Sequence, residues 1–257
     1  MTLQAKAATF LELHTAPELL KLVNVWDVAS TRVIADVEGT KALATASHSI
    51  AAMYGYQDGE NIPVDLMIEA VGRIAAATDL PVSADLEAGY GNPGETTRKA
   101  IGVGIVGANI EDQMNPLADS VAAVEAVVKA GEAEGIAFVL NARTDAFLLA
   151  GDRPPADVLG DAIERCRAYL DAGAPVVFVP GKLDEPTVVA LVDALGPQKV
   201  SVIGVPGTLP LSTLERLGVA RITYGPWSQR VALTALQNLA LDVLAGGALP
   251  EGTRPLN

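Results

Sequence analysis

The sequence predicts an α/β fold, a (β/α)8 TIM-type barrel. Short strand-like runs alternate with helical stretches eight times along the chain, with no break in composition. The strand-like runs are continuously apolar, which is typical of parallel strands buried on both faces. A doubly wound open sheet is the rival, but no G-x-G-x-x-G follows the first strand, so a dinucleotide-binding version lacks its main sign. Eight strand–helix units in succession therefore favour the barrel.

The predicted strands occupy 22–26, 41–45, 81–85, 108–111, 136–143, 175–180, 199–203 and 220–225. Helical segments follow each strand, and the clearest of them begins near Pro63, a residue suited to the first turn. There Met67, Val71 and Ile74 recur at helical spacing and form one apolar stripe. We expect one barrel domain over 1–257, in which 226–257 is the closing helix and the C-terminal tail.

The closing helix carries more apolar residues than one barrel surface would cover. They are Val231, Leu233, Leu236, Leu239, Leu241, Val243 and Leu244. This pattern predicts that the helix packs partly against another subunit, so we expect a homo-oligomer.

Composition narrows the choice of partners. The chain has 257 residues, half of them apolar, and a formal net charge of −13. Nucleic acid is an unsuitable partner because phosphate contacts need clustered Lys and Arg. Cys166 is the only cysteine, which excludes an internal disulfide and fits a reducing compartment. With neither a signal-like N-terminus nor a membrane-length apolar run, the expected protein is soluble and cytoplasmic, without a membrane partner.

Acidic residues concentrate where predicted strands end. Asp85 and Glu87 lie two apart in VSADLEAGYG, and Glu111 ends the next strand. Barrel enzymes place their chemistry at these strand ends. Three carboxylates meeting there predict a site for Mg2+, or alternatively Mn2+. The alternative is that these acids form structural ion pairs with Lys or Arg. Of the two histidines, His14 is expected on a helix surface, and His48, just past the second predicted strand, either faces the strand ends or is an ordinary loop or helix residue.

Arg143 ends the fifth predicted strand, in the segment NARTDAF. A guanidinium at an acidic mouth can bind a substrate carboxylate through two hydrogen bonds. Asp145, two residues later, would orient it. The alternative is a structural ion pair, and the sequence leaves both readings open.

Taken together, these segments resemble the isocitrate lyase/phosphoenolpyruvate mutase superfamily. The similarity covers most of the chain and depends on several motifs in order: NVWDVASTRVIADVEGTKALATAS, GYQDGE, VSADLEAGYGN, GANIEDQ, NARTDAF and YGPWSQRVAL. It implies an α/β barrel, usually a tetramer of paired subunits that exchange a C-terminal helix. It also implies a Mg2+-dependent site for small 2-oxo or 2-hydroxy carboxylates.

The resemblance also implies roles for individual residues. Asp85 matches the principal metal carboxylate, Glu87 a position usually held by Asp, and Glu111 the third acid. The turn Thr45-Ala46-Ser47 matches the segment whose backbone amides hold the substrate carboxylate. The other residues that we expect to bind substrate are Trp26, Asp27, Asn141 and Arg143. Those expected to take part in catalysis are Asp58, as a candidate base on the neighbouring loop, Arg143 and Ser47.

The chain departs from the superfamily pattern after Glu111, where it reads EDQMNPLADSV. Isocitrate and methylisocitrate lyases carry a Lys-(Lys/Arg)-Cys-Gly-His loop there, so those two activities are disfavoured. Phosphoenolpyruvate mutases carry a Lys-x-Asn-Ser element. Here Asn115 and Ser120 occur in another spacing, and the lysine is missing.

We therefore predict a Mg2+-dependent carbon–carbon lyase or decarboxylase that acts on a small 2-oxo or 2-hydroxy dicarboxylate through a metal-stabilised enolate. The alternatives are phosphorus–carbon bond chemistry, of the phosphoenolpyruvate mutase or phosphonopyruvate hydrolase type, and a non-catalytic protein that binds a 2-oxo acid. The expected partners are the small carboxylate substrate and further copies of the chain, as a dimer or tetramer.

Overall fold

The computed structural model describes residues 1–256, which form a ring of parallel strands surrounded by helices. The strands are β1 (Leu20–Leu22), β2 (Asn24–Val25), β3 (Leu43–Thr45), β4 (Val82–Asp85), β5 (Gly107–Glu111), β6 (Val139–Arg143), β7 (Val176–Phe178), β8 (Val200–Ile203) and β9 (Arg221–Thr223). The helices are α1 (Leu3–Thr15), α2 (Val28–Ala35), α3 (Ser47–Met53), α4 (Val64–Ala76), α5 (Pro93–Gly102), α6 (Leu117–Ala133), α7 (Pro155–Asp171), α8 (Glu185–Leu195), α9 (Leu211–Arg216) and α10 (Trp227–Leu244).

The ring closes through an interrupted first strand. The sheet order is β1-β9-β8-β7-β6-β5-β4-β3-β2, and every pairing is parallel. Only Val23 separates β1, which pairs with β9, from β2, which pairs with β3. The two edges are thus halves of one strand, so the nine short strands fill eight positions. The predicted (β/α)8 barrel is confirmed.

Helix starts and buried stripes follow from local sequence. Asp184 caps α8 by accepting a hydrogen bond from the backbone N–H of Thr187, and Asn92 caps α5 in the same way. On α4 the predicted stripe of Met67, Val71 and Ile74 is buried. These contacts orient each helix so that its apolar face covers the barrel.

Helix α1 covers the end of the barrel where the strands begin. Phe10 joins an apolar cluster with residues at the strand starts, and a Cβ atom at Gly107 would lie 2.7 Å from its ring. Only glycine therefore fits at position 107. His14 is buried against Phe10, so the expectation that it lies on a helix surface is wrong. Its spacing of four residues from Phe10 turns both rings towards the barrel.

His14 and Arg221 are two buried basic groups in this region. The Nδ1–H of His14 donates to the carbonyl oxygen of Phe10 at 2.8 Å. Burial, together with the charge of Arg221, lowers the pKa of His14 to about 3. Arg221 donates to the hydroxyl of Ser83 at 3.3 Å and to Oδ1 of Asn109 at 3.4 Å. Burial lowers the pKa of Arg221 to about 9, although the charge of Asp85 opposes this change.

Helix α10 packs against β2 and leaves most of its apolar side chains exposed. They include Val231, Leu236, Leu241 and Leu244. No helix within residues 1–256 combines the length and the apolar character that crossing a bilayer requires. Packing of α10 against another copy, and its exchange between subunits, remain predictions.

Candidate active site

A cavity of about 410 Å³ opens where the strands end. Its lining residues come from most strand positions of the ring. They are Asn24, Ala46, Ser47, Asp58, Asp85, Asn109, Arg143, Leu148, Phe178, Pro180, Gly181, Lys182, Ile203, Val205, Thr223, Gly225 and Pro226. The cavity therefore contains five of the predicted site residues: Ala46, Ser47, Asp58, Asp85 and Arg143.

Asp85 is held on one side by the turn that follows β3. One carboxylate oxygen, Oδ2, accepts hydrogen bonds from the backbone N–H of Ser47 at 3.1 Å and from its hydroxyl at 3.0 Å. The backbone N–H of Asp85 donates to the hydroxyl of Thr45 at 2.9 Å. The other oxygen, Oδ1, is buried and has no hydrogen-bond partner within the described part of the chain. In this arrangement the amide of Ser47, which we expected to hold substrate, binds Asp85.

Arg143 forms two ion pairs. Its guanidinium lies 2.7 Å from a carboxylate oxygen of Glu111 and 2.7 Å from one of Asp145. The sequence left substrate binding and a structural ion pair open, and the structure shows the ion pair. Burial raises the pKa of Glu111 to about 8, and Arg143 opposes this change.

Glu87 is directed to the loop that follows α3. One of its oxygens accepts a hydrogen bond from the backbone N–H of Glu60, and the other accepts from the hydroxyl of Tyr90 at 3.0 Å. Its own φ of +54° is unusual for a non-glycine residue and turns the chain after β4. Burial raises the pKa of Glu87 to about 7, although the Glu60 hydrogen bond lowers it.

These contacts decide how the acids fit a metal ion. Within residues 1–256 no group of three or more Asp, Glu, His or Cys side chains is placed to hold one. The structure therefore does not assemble the predicted three-carboxylate site, because Arg143 pairs with Glu111 and the loop at Glu60 binds Glu87. Asp85 still has one buried oxygen without a hydrogen-bond partner within residues 1–256. That suits Mg2+, which commonly uses one or two carboxylates and completes its shell with water and substrate oxygens.

Three asparagines support the floor of the cavity. Asn24 donates to the carbonyl oxygen of Thr45 at 2.8 Å and accepts from the backbone N–H groups of Tyr224 and Gly225. Asn141 is fully buried and donates at 2.8 Å to Oδ1 of Asn109, its in-register neighbour on β5. Asn24 thus ties the first, second and last positions of the ring together.

Trp26 and Asp27 occupy a different place. They line a separate cavity of about 350 Å³ between α2 and α10. Asp27 caps α2, since its carboxylate accepts from the backbone N–H of Ser30 at 2.7 Å. The structure therefore does not bring these two residues together with the others at the strand ends.

Sequence reasoning missed Asn24, Asn109, Lys182 and Arg221. A polar residue inside an apolar strand, as in LVNVW, GANIE and ARITY, was an available signal for Asn24, Asn109 and Arg221. Lys182 lies one residue beyond the Pro-Gly that ends the sixth predicted strand, and only the loop geometry brings it to the cavity.

The buried carboxylate of Asp112 fixes the short connection that follows Glu111. Asp112 is buried and accepts hydrogen bonds from the hydroxyl of Tyr169 at 2.7 Å and from Arg165 at 3.1 Å. Its other oxygen accepts from the backbone N–H groups of Met114 and Asp145, each at 3.0 Å. One carboxylate thus positions the segments that carry both Glu111 and Arg143.

Comparison with known proteins identifies the family of this chain. The family model for phosphoenolpyruvate phosphomutase matches residues 10–244. The chain belongs to this family. With it, membership of the isocitrate lyase/phosphoenolpyruvate mutase superfamily and the predicted enzyme class, a lyase of that superfamily, are confirmed.

Individual members of the phosphoenolpyruvate phosphomutase family and its superfamily align along most of the chain. A crystal structure from Burkholderia cenocepacia J2315, provisionally described as a phosphonomutase, is 41% identical with a TM-score of 0.86, covering 91% of this chain and 98% of that one. An oxaloacetate decarboxylase from Rhodopseudomonas palustris (strain BisB5) is 28% identical over 89% of this chain and 81% of its own. A phosphoenolpyruvate phosphomutase from Streptomyces hygroscopicus is 26% identical over 87% and 75%.

Proposed function

We propose that this protein is a Mg2+-dependent carbon–carbon lyase or decarboxylase of a small 2-oxo or 2-hydroxy dicarboxylate, with Mn2+ as an alternative ion. The observation that carries the proposal is the state of Asp85. Ser47 holds one of its oxygens, and the other is buried beside a cavity at the strand ends with no hydrogen-bond partner among the described residues. The similarity to an oxaloacetate decarboxylase supports this class of reaction.

A divalent ion bound at Asp85 would supply positive charge for the enolate that develops when a bond next to a 2-oxo group breaks. Residues of the protein hold the acidic groups of the site in position. Ser47 and Thr45 hold the Asp85 carboxylate in one orientation, so no reorganisation is needed when substrate binds. Arg143 pairs with both Glu111 and Asp145 and holds their carboxylates in place.

A base is needed only if the reaction is retro-aldol cleavage of a 2-hydroxy acid. Asp58 lines the cavity and is exposed, and Asn61 donates only to its backbone carbonyl, so no described residue donates a hydrogen bond to its carboxylate. Its carboxylate is therefore free to accept the proton of a substrate hydroxyl. Decarboxylation of a 2-oxo acid would not use this residue, so an Asp58→Asn variant distinguishes the two bond-breaking modes.

The test is release of pyruvate or another 2-oxo acid from a panel of 2-oxo and 2-hydroxy dicarboxylates, with and without Mg2+. Asp85→Asn keeps the shape of the side chain and should abolish the metal-dependent activity. Asp65→Asn is the matched control, because Asp65 pairs with Lys99 on an exposed surface. Failure of the wild type on the whole panel would overturn the proposal.

Phosphorus–carbon chemistry is the second candidate. It is favoured by the family match and by the structure from Burkholderia cenocepacia J2315 described as a phosphonomutase. Phosphorus NMR of phosphonopyruvate and of phosphoenolpyruvate, each incubated with the protein and Mg2+, separates it from the first candidate. Conversion of either compound would favour it.

We also infer that the protein forms a homo-oligomer through α10. The helix exposes Val231, Leu236, Leu241 and Leu244, and an apolar cavity of about 350 Å³ lies between it and α2. Contiguous exposed apolar surface of this kind marks an interaction site. A second copy of α10 has the apolar residues to cover it.

A further inference from the structure

We propose that Lys182 binds the second carboxylate of the substrate, at the side of the cavity opposite Ser47. This inference deepens the proposed function and depends on it. Lys182 lines the cavity in the segment after β7, whereas Ser47 lies directly after β3. In the ring of eight positions, β7 is the fourth strand along from β3. The two residues therefore face each other across the barrel.

Charge singles out this lysine. Arg143 and Lys182 are the two basic residues in the cavity lining. Arg143 pairs with both Glu111 and Asp145. Lys182, in contrast, has no carboxylate within 4.0 Å among residues 1–256. It therefore provides the positive charge that a second anionic group can use.

The acids nearest to Lys182 in sequence have other partners. Asp184 accepts the backbone N–H of Thr187 as the cap of α8. Glu185 pairs with Arg216 at 2.8 Å on the outer surface. Neither acid neutralises the ammonium, so Lys182 stays available to the cavity.

Two glycines lie close to Lys182, one in the backbone before it and one beside its ammonium. A Cβ atom at Gly181 would lie 3.2 Å from Cβ of Phe147, so the backbone before Lys182 packs closely there. A Cβ atom at Gly207 would lie 3.0 Å from the Nζ atom of Lys182. The ammonium thus rests against the loop after β8, beside Gly207.

The wall between the two ends of the cavity is apolar. Phe178, Ile203 and Val205 line it on the side of Lys182. A short hydrocarbon segment fits such a wall, because its burial is favourable and it needs no hydrogen bonds. A substrate with a 2-oxo or 2-hydroxy acid end near Asp85, a short carbon chain and a distal carboxylate matches this order of surfaces.

The test compares Lys182→Met and Lys182→Arg with the wild type. Binding is measured by calorimetry in the presence of Mg2+. The ligands are oxalate, which has no distal group, the tighter binder of malate and 2-oxoglutarate, and the methyl ester of its distal carboxylate. Lys21→Met is the control, because Lys21 is an exposed lysine on β1 outside this cavity.

We expect Lys182→Met to weaken dicarboxylate binding by about tenfold, the size of one charge-assisted hydrogen bond. Oxalate and the ester should bind the variant and the wild type within about twofold, since neither uses the ammonium. Lys182→Arg should restore most of the dicarboxylate affinity, and Lys21→Met should match the wild type. In turnover, the Lys182→Met change should raise KM for the dicarboxylate more than it lowers kcat.

Two results would overturn the inference alone: unchanged dicarboxylate binding by Lys182→Met, or equal weakening of oxalate and dicarboxylate. Phosphonopyruvate is tested as a further ligand. If Lys182→Met weakens the binding of that compound alone, the inference is wrong for a distal carboxylate, and the group that Lys182 binds is a phosphonate. If the wild type binds neither oxalate nor a dicarboxylate with Mg2+, the proposed function fails and this inference falls with it.

Discussion

Ser47 donates both its backbone N–H and its hydroxyl to the same oxygen of Asp85, at 3.1 and 3.0 Å. The carboxylate is thereby fixed from the first turn of α3, and its second oxygen has no partner in the part of the chain that the structure describes. A pair of hydrogen bonds from one residue restrains the carboxylate more than a single bond does. Asp85 is accordingly oriented before any ligand arrives.

The hydroxyl of Ser47 should contribute measurably to metal affinity. In Ser47→Ala the backbone N–H remains and one hydrogen bond to a charged group is lost, which costs about 1.5 kcal/mol, or roughly tenfold. Titration with Mn2+, followed by calorimetry, measures the change. Ser49→Ala is the control, because Ser49 is also buried in α3 and its hydroxyl has no partner. Equal Mn2+ affinity in wild type and Ser47→Ala would contradict the assigned role.

Asp112 should be important for stability rather than for chemistry. Asp112→Asn removes the charge that Arg165 and Tyr169 share, and among residues 1–256 leaves the buried guanidinium with Asp161 as its one carboxylate partner, besides the carbonyl oxygen of Asn115. We expect a loss of about 3 kcal/mol in the free energy of unfolding, measured by urea denaturation. Glu185→Gln, which breaks an exposed pair with Arg216, should cost under about 1 kcal/mol. Equal effects of the two changes would show that Asp112 is not a structural hub.

His14 should make the protein less stable in acid. Its pKa is lowered to about 3 by burial and by Arg221, whereas in the unfolded chain it has the ordinary histidine value of about 6.5. The unfolded state therefore binds the proton first, and stability is lost as pH falls from 6.5 towards 3, by at most about 1.4 kcal/mol per unit. The stability advantage of wild type over His14→Gln should shrink by about 2–3 kcal/mol between pH 7 and pH 4.5. Urea unfolding at both pH values measures it, and a constant difference would refute the prediction.

Helix α10 should control the oligomeric state. Leu236→Glu places a charge in its exposed apolar face and should convert the predicted dimer or tetramer to monomers. Analytical ultracentrifugation at micromolar concentration measures this. Gln237→Glu, a neighbouring exposed change of the same helix, should leave the assembly intact. A monomeric wild type would contradict the inferred interface.

The strand–helix rhythm was enough to predict the barrel, because continuously apolar strands and their helices repeat without interruption. The sequence could not show that the first strand breaks at Val23, since an apolar run gives no sign of which backbone groups pair. His14 was misjudged for a related reason: one histidine in a helix does not reveal that α1 covers the barrel end.

At the site, the motif order predicted that Asp85, Ser47, Ala46, Asp58 and Arg143 share one cavity. Spacing alone could not decide between metal and ion pair for Glu111, because that depends on the rotamer of Arg143. The direction of Glu87 was equally hidden, since it follows from a left-handed backbone at that residue. Lys182 reaches the cavity through a loop whose path no periodicity describes.

The pairing of β1 with β9 joins Leu20 to Arg221, about 200 residues apart in the chain. On the ribosome, the N-terminal helix and the first strand emerge early and must wait for the last strand before the ring can close. Ring closure therefore waits until β9 has been synthesised. Until then the edge strands of the incomplete sheet stay exposed and accessible to chaperones. A premature stop before residue 221 would leave these edges permanently unpaired.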